Sequence, residues 1–265
     1  MAKPKTLNPV RPNAGLEAIY ARKLDALVEE MHRSLVYWLS AAYKAKPPEM
    51  AQDADYTGMS PATVMREVMR KLTSRWQTKF DRASGELAKW FAQSVHDRSD
   101  KALAATLRKA GISVKFQMSR GMNDILQATV GENVSLIKSI AQRHLTEVEG
   151  MVMRSVQTGR DLGALTQDLE KRFGLTRKRA ALISLDQNNK ATSALQRART
   201  LELGLKEGIW LHSKGGKHPR KSHVDFSGQK YDIEKGAYLD GVWTWPGREI
   251  GCRCVCKPIL AGYND

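Results

Sequence analysis

From Leu16 onward, apolar residues recur at steps of three and four: Leu16, Tyr20, Leu24, Leu27, Met31, Leu35, Trp38 and Ala42. That spacing lines one face of an α-helix, and Pro47-Pro48 ends it. Ahead of it, residues 1–13 carry Pro4, Pro9 and Pro12 and read as an extended arm, while 47–59 read as a loop. Ser60-Pro61 is a good N-cap and first-turn pair. It opens a second stripe through Val64, Val68, Leu72, Trp76, Phe80, Leu87, Phe91 and Val95, with bends expected near Ser84-Gly85 and between Asp97 and Asp100. The run Ile112–Met118 reads as a short strand. Helix resumes near Gly121, is clearest through Val134, Ile137, Ile140, Leu145, Val148, Val152 and Val156, and stops at Thr158-Gly159. A compact helix then carries Leu162, Leu165, Leu169 and Phe173. Gly174 suits its C-terminal cap, and Thr176 suits the start of the next helix, which reaches about Gly204. Trp38, Trp76 and Trp90 fall on or beside these stripes and read as core or helix-contact residues.

The pattern changes at Gly208. Glycines and prolines recur, and β-prone runs appear at Ile209–His212, Lys230–Ile233, Val242–Trp245 and Arg253–Ile259. The expected class is α+β: long α-helices followed by a small C-terminal α/β module with short strands. The domains expected are an arm at 1–13, a helical body at 14–175 and the module at 176–265, with the 176–204 helix packing into the module.

Composition adds a partner. With 265 residues, 42% of them hydrophobic, the chain can bury one large core or two modest ones. No apolar run approaches the ~20 residues a membrane span needs. Met1–Asn13 has no apolar core of a signal peptide, which points to a protein made and kept in a cytosol or in something assembled there. The formal net charge is +15, which attracts polyanions and makes nucleic acid the default partner. Between Arg177 and Lys221, eleven Lys or Arg face three Asp or Glu. Arg177, Lys178, Arg179, Lys214, Lys217 and Lys221 are the candidate phosphate contacts there, and a solvated helix face is the plainer explanation for any one of them. No compact helix-turn-helix with a basic recognition helix is evident, which favours sequence-independent contact over a site-specific regulator.

The last sixty residues hold the chemistry. His212, His218 and His223 precede Cys252, Cys254 and Cys256, the only cysteines, which alternate along an expected strand and so aim at one face. An odd, clustered set argues against a disulfide framework. Zinc takes four nitrogen or sulfur ligands, and His223, Cys252 and Cys254 supply three, with Cys256, His212 or His218 for a fourth. Against that, Cys-x-Cys on a straight strand is not the usual knuckle, and three such cysteines can equally be small buried hydrophobes. Arg220 and His223 can form a hydrogen-bonded corner around Gly228. Arg253 should point away from the thiols, to pair with Asp225 or Asp232 or to meet phosphate. A metal-dependent nuclease using His223 and Asp225 is a second reading, short of carboxylates beyond Asp232, Glu234 and Asp240.

The order of these features resembles the C-terminal module of the Mu F-like and SPP1-type minor head proteins of tailed bacteriophages. That module has a helix, a Trp-containing strand, an Arg-x-x-His segment leading to a glycine, an extended stretch with proline, and a Cys-Arg-Cys strand closed by proline. Here these fall on Trp210, Arg220, His223, Gly228, Pro246, Cys252, Arg253, Cys254 and Pro258. In the preceding helix Leu185 and Asp186 stand where the family has a Thr-Glu pair. The resemblance covers roughly 110–260, its specific motif 177–258. It implies a non-enzymatic virion protein, present in few copies near the portal vertex and acting in head morphogenesis. Its implied partners are the portal, the major capsid protein or scaffold, and packaged double-stranded DNA, with no membrane.

Overall fold

In the computed structural model, which describes residues 5–45, 60–159, 161–216 and 218–260, the chain is α+β. Four long helices come first: α1 (Ala14–Ala45), α2 (Pro61–Lys109), α3 (Arg120–Gln157) and α4 (Leu162–Glu202). Their starts are capped by side chains that accept first-turn amides: Asn13 Oδ1 from Leu16 (2.8 Å), Ser60 Oγ from Thr63 (3.2 Å), Ser119 Oγ from Met122 (3.1 Å) and Asp161 Oδ1 from Ala164 (3.0 Å). The loop expected at 47–59, with Pro47-Pro48, lies outside the described residues.

Several local expectations are corrected. α2 runs unbroken through Asp97 to Asp100 and through Ser84 and Gly85, where the Ser84 hydroxyl donates to the Asp81 carbonyl at 2.8 Å. A helical glycine costs only about 1 kcal/mol, less than the buried stripe of Phe80, Ala88 and Phe91 returns by continuing. α4 likewise passes through Gly174 and Thr176 without a cap. The Thr176 hydroxyl bonds back to the Arg172 carbonyl at 3.0 Å. Ile112–Met118 is not a strand. Its alternation is real, but Ile112, Val114 and Phe116 pack on Leu7, Leu103, Leu107, Leu205 and Leu260 instead of joining a ladder. Trp76 is buried and its Nε1–H donates to Ser34, whereas Trp38 is 46% exposed and meets Tyr37 edge-on.

The chain divides into two compact units, one of Met1–Ile19, Ala88–Glu132 and Ser184–Asp265, the other of Tyr20–Leu87 and Asn133–Ile183. The long helices contribute to both. In the second unit, Leu24, Met31 and Leu35 of α1, Phe80 of α2, Ile140 and Val148 of α3 and Leu165 of α4 are all buried.

The first unit contains the strands. β1 (Glu207–Leu211) is central in an antiparallel sheet of order β2-β1-β5, with β2 at Lys230–Asp232 and β5 at Val255–Pro258. Trp210 stands opposite Cys256, and Gly208 opposite Tyr231 on one side and Pro258 on the other. β3 (Ala237–Leu239) and β4 (Val242–Thr244) form a separate hairpin. The arm is extended where described. Thr6 bridges Ile259, and Leu7 donates its N–H to the Pro258 carbonyl at 2.9 Å. The later part of α4 packs into this unit, with Leu201 against the module's core.

Candidate metal centre

A five-residue helix, α5 (Lys221–Asp225), follows β1, and His223 is its one buried residue. Arg220, at its N-cap, donates from Nη2 to the Ile250 carbonyl at 3.1 Å, tying α5 to the turn before Cys252. After α5 the chain turns at Gly228, whose φ of +91° lies in the region that favours glycine. There the Gly228 amide donates to the Trp210 carbonyl (2.8 Å), and the Trp210 amide donates to the Gln229 carbonyl (2.9 Å). Trp210 is fully buried and meets His223 edge-on, ring centroids 5.0 Å apart.

Against His223 lie two thiols. Nδ1 is 3.5 Å from Cys252 Sγ and 3.8 Å from Cys254 Sγ. All three side chains are buried, and their ligand atoms lie within 4.8 Å of one another. A tetrahedral ion bound at ordinary zinc–sulfur and zinc–nitrogen lengths sets its sulfur and nitrogen ligands about 3.6 Å apart. The spacing therefore fits, and His223, Cys252 and Cys254 could hold a metal ion.

The surroundings favour a thiolate at Cys252. The backbone amides of Cys254 and Gly247 donate toward Cys252, and His223 adds a favourable charge. The Cys254 thiol itself is the largest influence holding Cys252 down, so Cys252 ionises first and Cys254 is pushed up in consequence. Cys254 receives the Ser213 amide and the Trp210 indole. That indole N–H is buried without a hydrogen-bond partner of ordinary geometry among the described residues. A sulfur carrying full negative charge would satisfy it.

Helix α4 supports the loop that carries Cys252. Asp186 Oδ1 accepts the Gly251 amide at 2.9 Å, and the Ser193 hydroxyl donates to the carbonyl of the buried Pro246. The Cys252 amide donates to the Glu249 carbonyl at 2.8 Å.

The other candidates divide. Cys252 and Cys254 precede β5, while Cys256 lies within it. All three cysteines adjoin one core cluster, as alternation predicts, but Cys256, expected as a fourth ligand, is not in the metal group. Its thiol packs on Gly208 and accepts from Tyr231, and burial pushes it up to about 11. A β-carbon on Gly208 would stand 2.5 Å from that sulfur. His212 is half-buried and accepts the Lys214 amide on Nδ1 at 3.1 Å, and His218 is exposed; neither joins the group. Arg253 is exposed near Gly215, and neither expected carboxylate takes it. Asp225 pairs with Lys221 at 2.5 Å, and Asp232 caps the turn by accepting the amides of Glu234 and Lys235. Asp225 thus faces solvent while His223 is buried, so the two do not share a site. Pro258 lies in β5 opposite Gly208.

The basic set is divided between the two units. Arg177 is held by Asp25 through two bonds of 2.5 and 2.6 Å, and Arg179 donates to Ser139 at 3.1 Å, while Lys178 is exposed. Lys214 and Lys221 are exposed in the other unit, and Lys217 lies outside the described residues.

Among known proteins, an uncharacterized protein of Haemophilus influenzae is 28% identical to this chain over 267 residues. The match takes in 98% of this chain and 56% of the relative, so the chain spans little more than half the length of the protein it matches. No protein-family model matches the chain, and no solved structure matches it.

Proposed function

We propose that this chain is a minor structural protein of a tailed-bacteriophage head, active in head morphogenesis near the portal and touching packaged double-stranded DNA without sequence specificity. One observation carries the reading. Trp210, His223, Gly228, Cys252 and Cys254, five of the nine residues on which the resemblance rests, are spread over the last part of the chain yet connect around one buried node, and Arg220 ties its helix to the turn before Cys252. A motif of this order with five of its members joined by direct contacts is better explained as a module than as chance spacing. The net charge of +15 suits a surrounding of concentrated phosphate.

The ion this node suits best is zinc, since two thiolates and an imidazole are borderline-soft donors that fill three of its four positions. When bound it would supply a cross-link between α5 and the Cys252–Cys254 segment. The chain's own residues prepare that role: Arg220 orients α5, Asp186 holds the loop, and Trp210 closes one side against water. The buried His223 suits structure rather than hydrolysis, because a general base must reach a water and a substrate. The portal, the major capsid protein or scaffold, and DNA are the proposed partners, and the virion the proposed location.

Quantitative mass spectrometry of purified particles from the source phage tests the reading. A few copies of the chain per particle are expected. Absence from both mature and precursor heads would overturn it.

A further inference from the structure

Away from the thiol cluster, but in the same unit, helices α3 and α4 and the turn after β4 enclose an open cleft of about 600 Å³. Its cationic end is built around Trp245. The indole N–H donates to the Ile233 carbonyl at 3.0 Å, which fixes the ring. Two guanidiniums lie over that ring, Arg197 at 4.3 Å and Arg248 at 4.9 Å from its centroid. Arg197 is anchored by bonds to the carbonyls of Ile233 (2.9 Å) and Glu234 (2.6 Å), and Arg248 by a bond to the Trp243 carbonyl (3.2 Å). These are backbone acceptors: among the described residues neither arginine forms an ion pair with a carboxylate. Burial and the neighbouring charge of Arg248 both work against the charge of Arg197, offset in part by Tyr231, Glu234 and Asp232 nearby.

The opposite end is neutralised. Lys190 pairs with Asp186 at 2.9 Å and Glu132 at 3.7 Å, and Glu132 also accepts from Gln187. Between the ends, Ile125, Ala128, Ala191 and Ala194 form a smooth apolar floor. The lining hydroxyls are committed, Thr129 donating to the Ile125 carbonyl and Ser193 to the Pro246 carbonyl. The cleft therefore offers two fixed cations with donors to spare beside an apolar surface that a planar group can cover.

The geometry points to a binding site for a nucleotide, its phosphate on Arg197 and Arg248 and its base on the alanine floor. The nucleotide is either free or part of a nucleic-acid strand. Guanidinium groups match phosphate oxygens in pairs, and the cleft lies in the size range of small-ligand sites. The inference stands apart from the head-protein reading and names residues that the basic set of Arg177, Lys178, Arg179, Lys214, Lys217 and Lys221 does not include.

The test uses the full chain with three probes: inorganic phosphate, thymidine monophosphate, and a single-stranded thymidine oligonucleotide of about twelve nucleotides. Calorimetry serves the first two and fluorescence anisotropy the third. Arg248→Glu reverses the exposed charge, Ala128→Trp fills the floor from its exposed side, and Arg75→Glu makes the same charge change at an exposed residue of the other unit. Arg248→Glu and Ala128→Trp are each expected to weaken nucleotide binding by about tenfold or more, the size of one lost charged contact or one blocked stacking surface. Arg75→Glu should change it less than about twofold. Monophosphate binding identifies a free nucleotide, and oligonucleotide binding alone, lost in Arg248→Glu, identifies a strand. The inference is overturned if no probe binds or if Arg75→Glu costs as much as Arg248→Glu. It is equally overturned if Ala128→Trp leaves affinity unchanged or phosphate alone binds as tightly as the monophosphate. Thermal melts of each variant separate lost binding from lost fold.

Discussion

The carboxylate of Asp186 accepts the amide of Gly251 at 2.9 Å, so a residue of α4 fixes the turn that delivers Cys252 to His223. Asp186 is also buried and paired with Lys190. Asp186→Ala should destabilise the chain by about 2–3 kcal/mol, because a half-buried amide and a cation both lose their acceptor. Metal affinity should fall by about 10–100-fold with it, as for other outer partners of ligands. Asp186→Asn keeps an oxygen toward Gly251 and should restore most of the metal affinity. Denaturant unfolding and a zinc-competition titration read the two effects, and equal loss in both variants would refute the positioning role.

Purified protein should carry about one zinc per chain, measured by elemental mass spectrometry. His223→Ala, Cys252→Ser and Cys254→Ser should each release it and lower the melting temperature. Cys256→Ser should retain it, because Cys256 faces Gly208 and Tyr231. Zinc that is lost in Cys256→Ser would put the ligand set elsewhere.

His144 couples stability to pH. Its Nδ1 lies 2.9 Å from Thr176 Oγ1, and the Thr176 hydrogen is already given to the Arg172 carbonyl, so His144 is the donor. Nε2 is buried without a partner among the described residues. Burial, then the charges of Arg172 and His32, push His144 down to about 4 from 6.5. The unfolded chain therefore takes a proton that the folded chain refuses. The stabilisation is whole above pH 6.5 and disappears as pH falls toward 4, in total about 3 kcal/mol. Unfolding curves at pH 7 and pH 4.5 should show a smaller pH-dependent loss in His144→Gln, and equal losses would rule His144 out as the group responsible.

Arg199 is 2% exposed and bonded twice to Asp100, at 3.0 and 2.7 Å, and also to Glu202 and the Gln117 carbonyl. Asp100→Ala leaves a buried cation short of its partner and should cost about 3–5 kcal/mol. Arg199→Met replaces charge with apolar volume and should cost less. The reverse order in urea unfolding would contradict this account.

If the exposed lysines touch DNA, affinity for random duplex should fall with salt at a logarithmic slope near 0.9 per phosphate contacted. Removing Lys178 and Lys214 together should lower that slope by about two units. Arg177 is already occupied by Asp25 and Lys221 by Asp225, so Arg177→Gln and Lys221→Gln should leave it nearly unchanged. A slope indifferent to the double variant would exclude these lysines as contacts.

What was legible in the sequence followed from periodicity. The Leu16–Ala42 and Val134–Val156 stripes became α1 and α3, and the four β-prone runs became β1, β2, β4 and β5. Gly85, Gly174 and Thr176 do not break their helices, because the buried stripe continues on either side. At the site, His223, Cys252 and Cys254 were visible as residue types with metal-ligand chemistry. The exclusion of Cys256 was not visible, since it depends on where the strand begins and on Gly208 leaving room for a sulfur. The anchoring by Asp186 and the buried Arg199 were also hidden. Both are polar residues inside the unit, and only the fold shows which partners justify burying them.

The unit that carries the thiols is assembled from three separated stretches, and Thr6 bridges Ile259 across nearly the whole described chain. During synthesis, the unit of Tyr20–Leu87 and Asn133–Ile183 has all its residues once Ile183 has emerged. The other must wait for its last segment before β1 finds β5 and the arm finds its place. Its pairings close long loops late, which slows folding and leaves an unfinished sheet edge exposed meanwhile. A nascent chain stalled between these points should carry one protease-resistant unit and one labile one, with its cysteines not yet made.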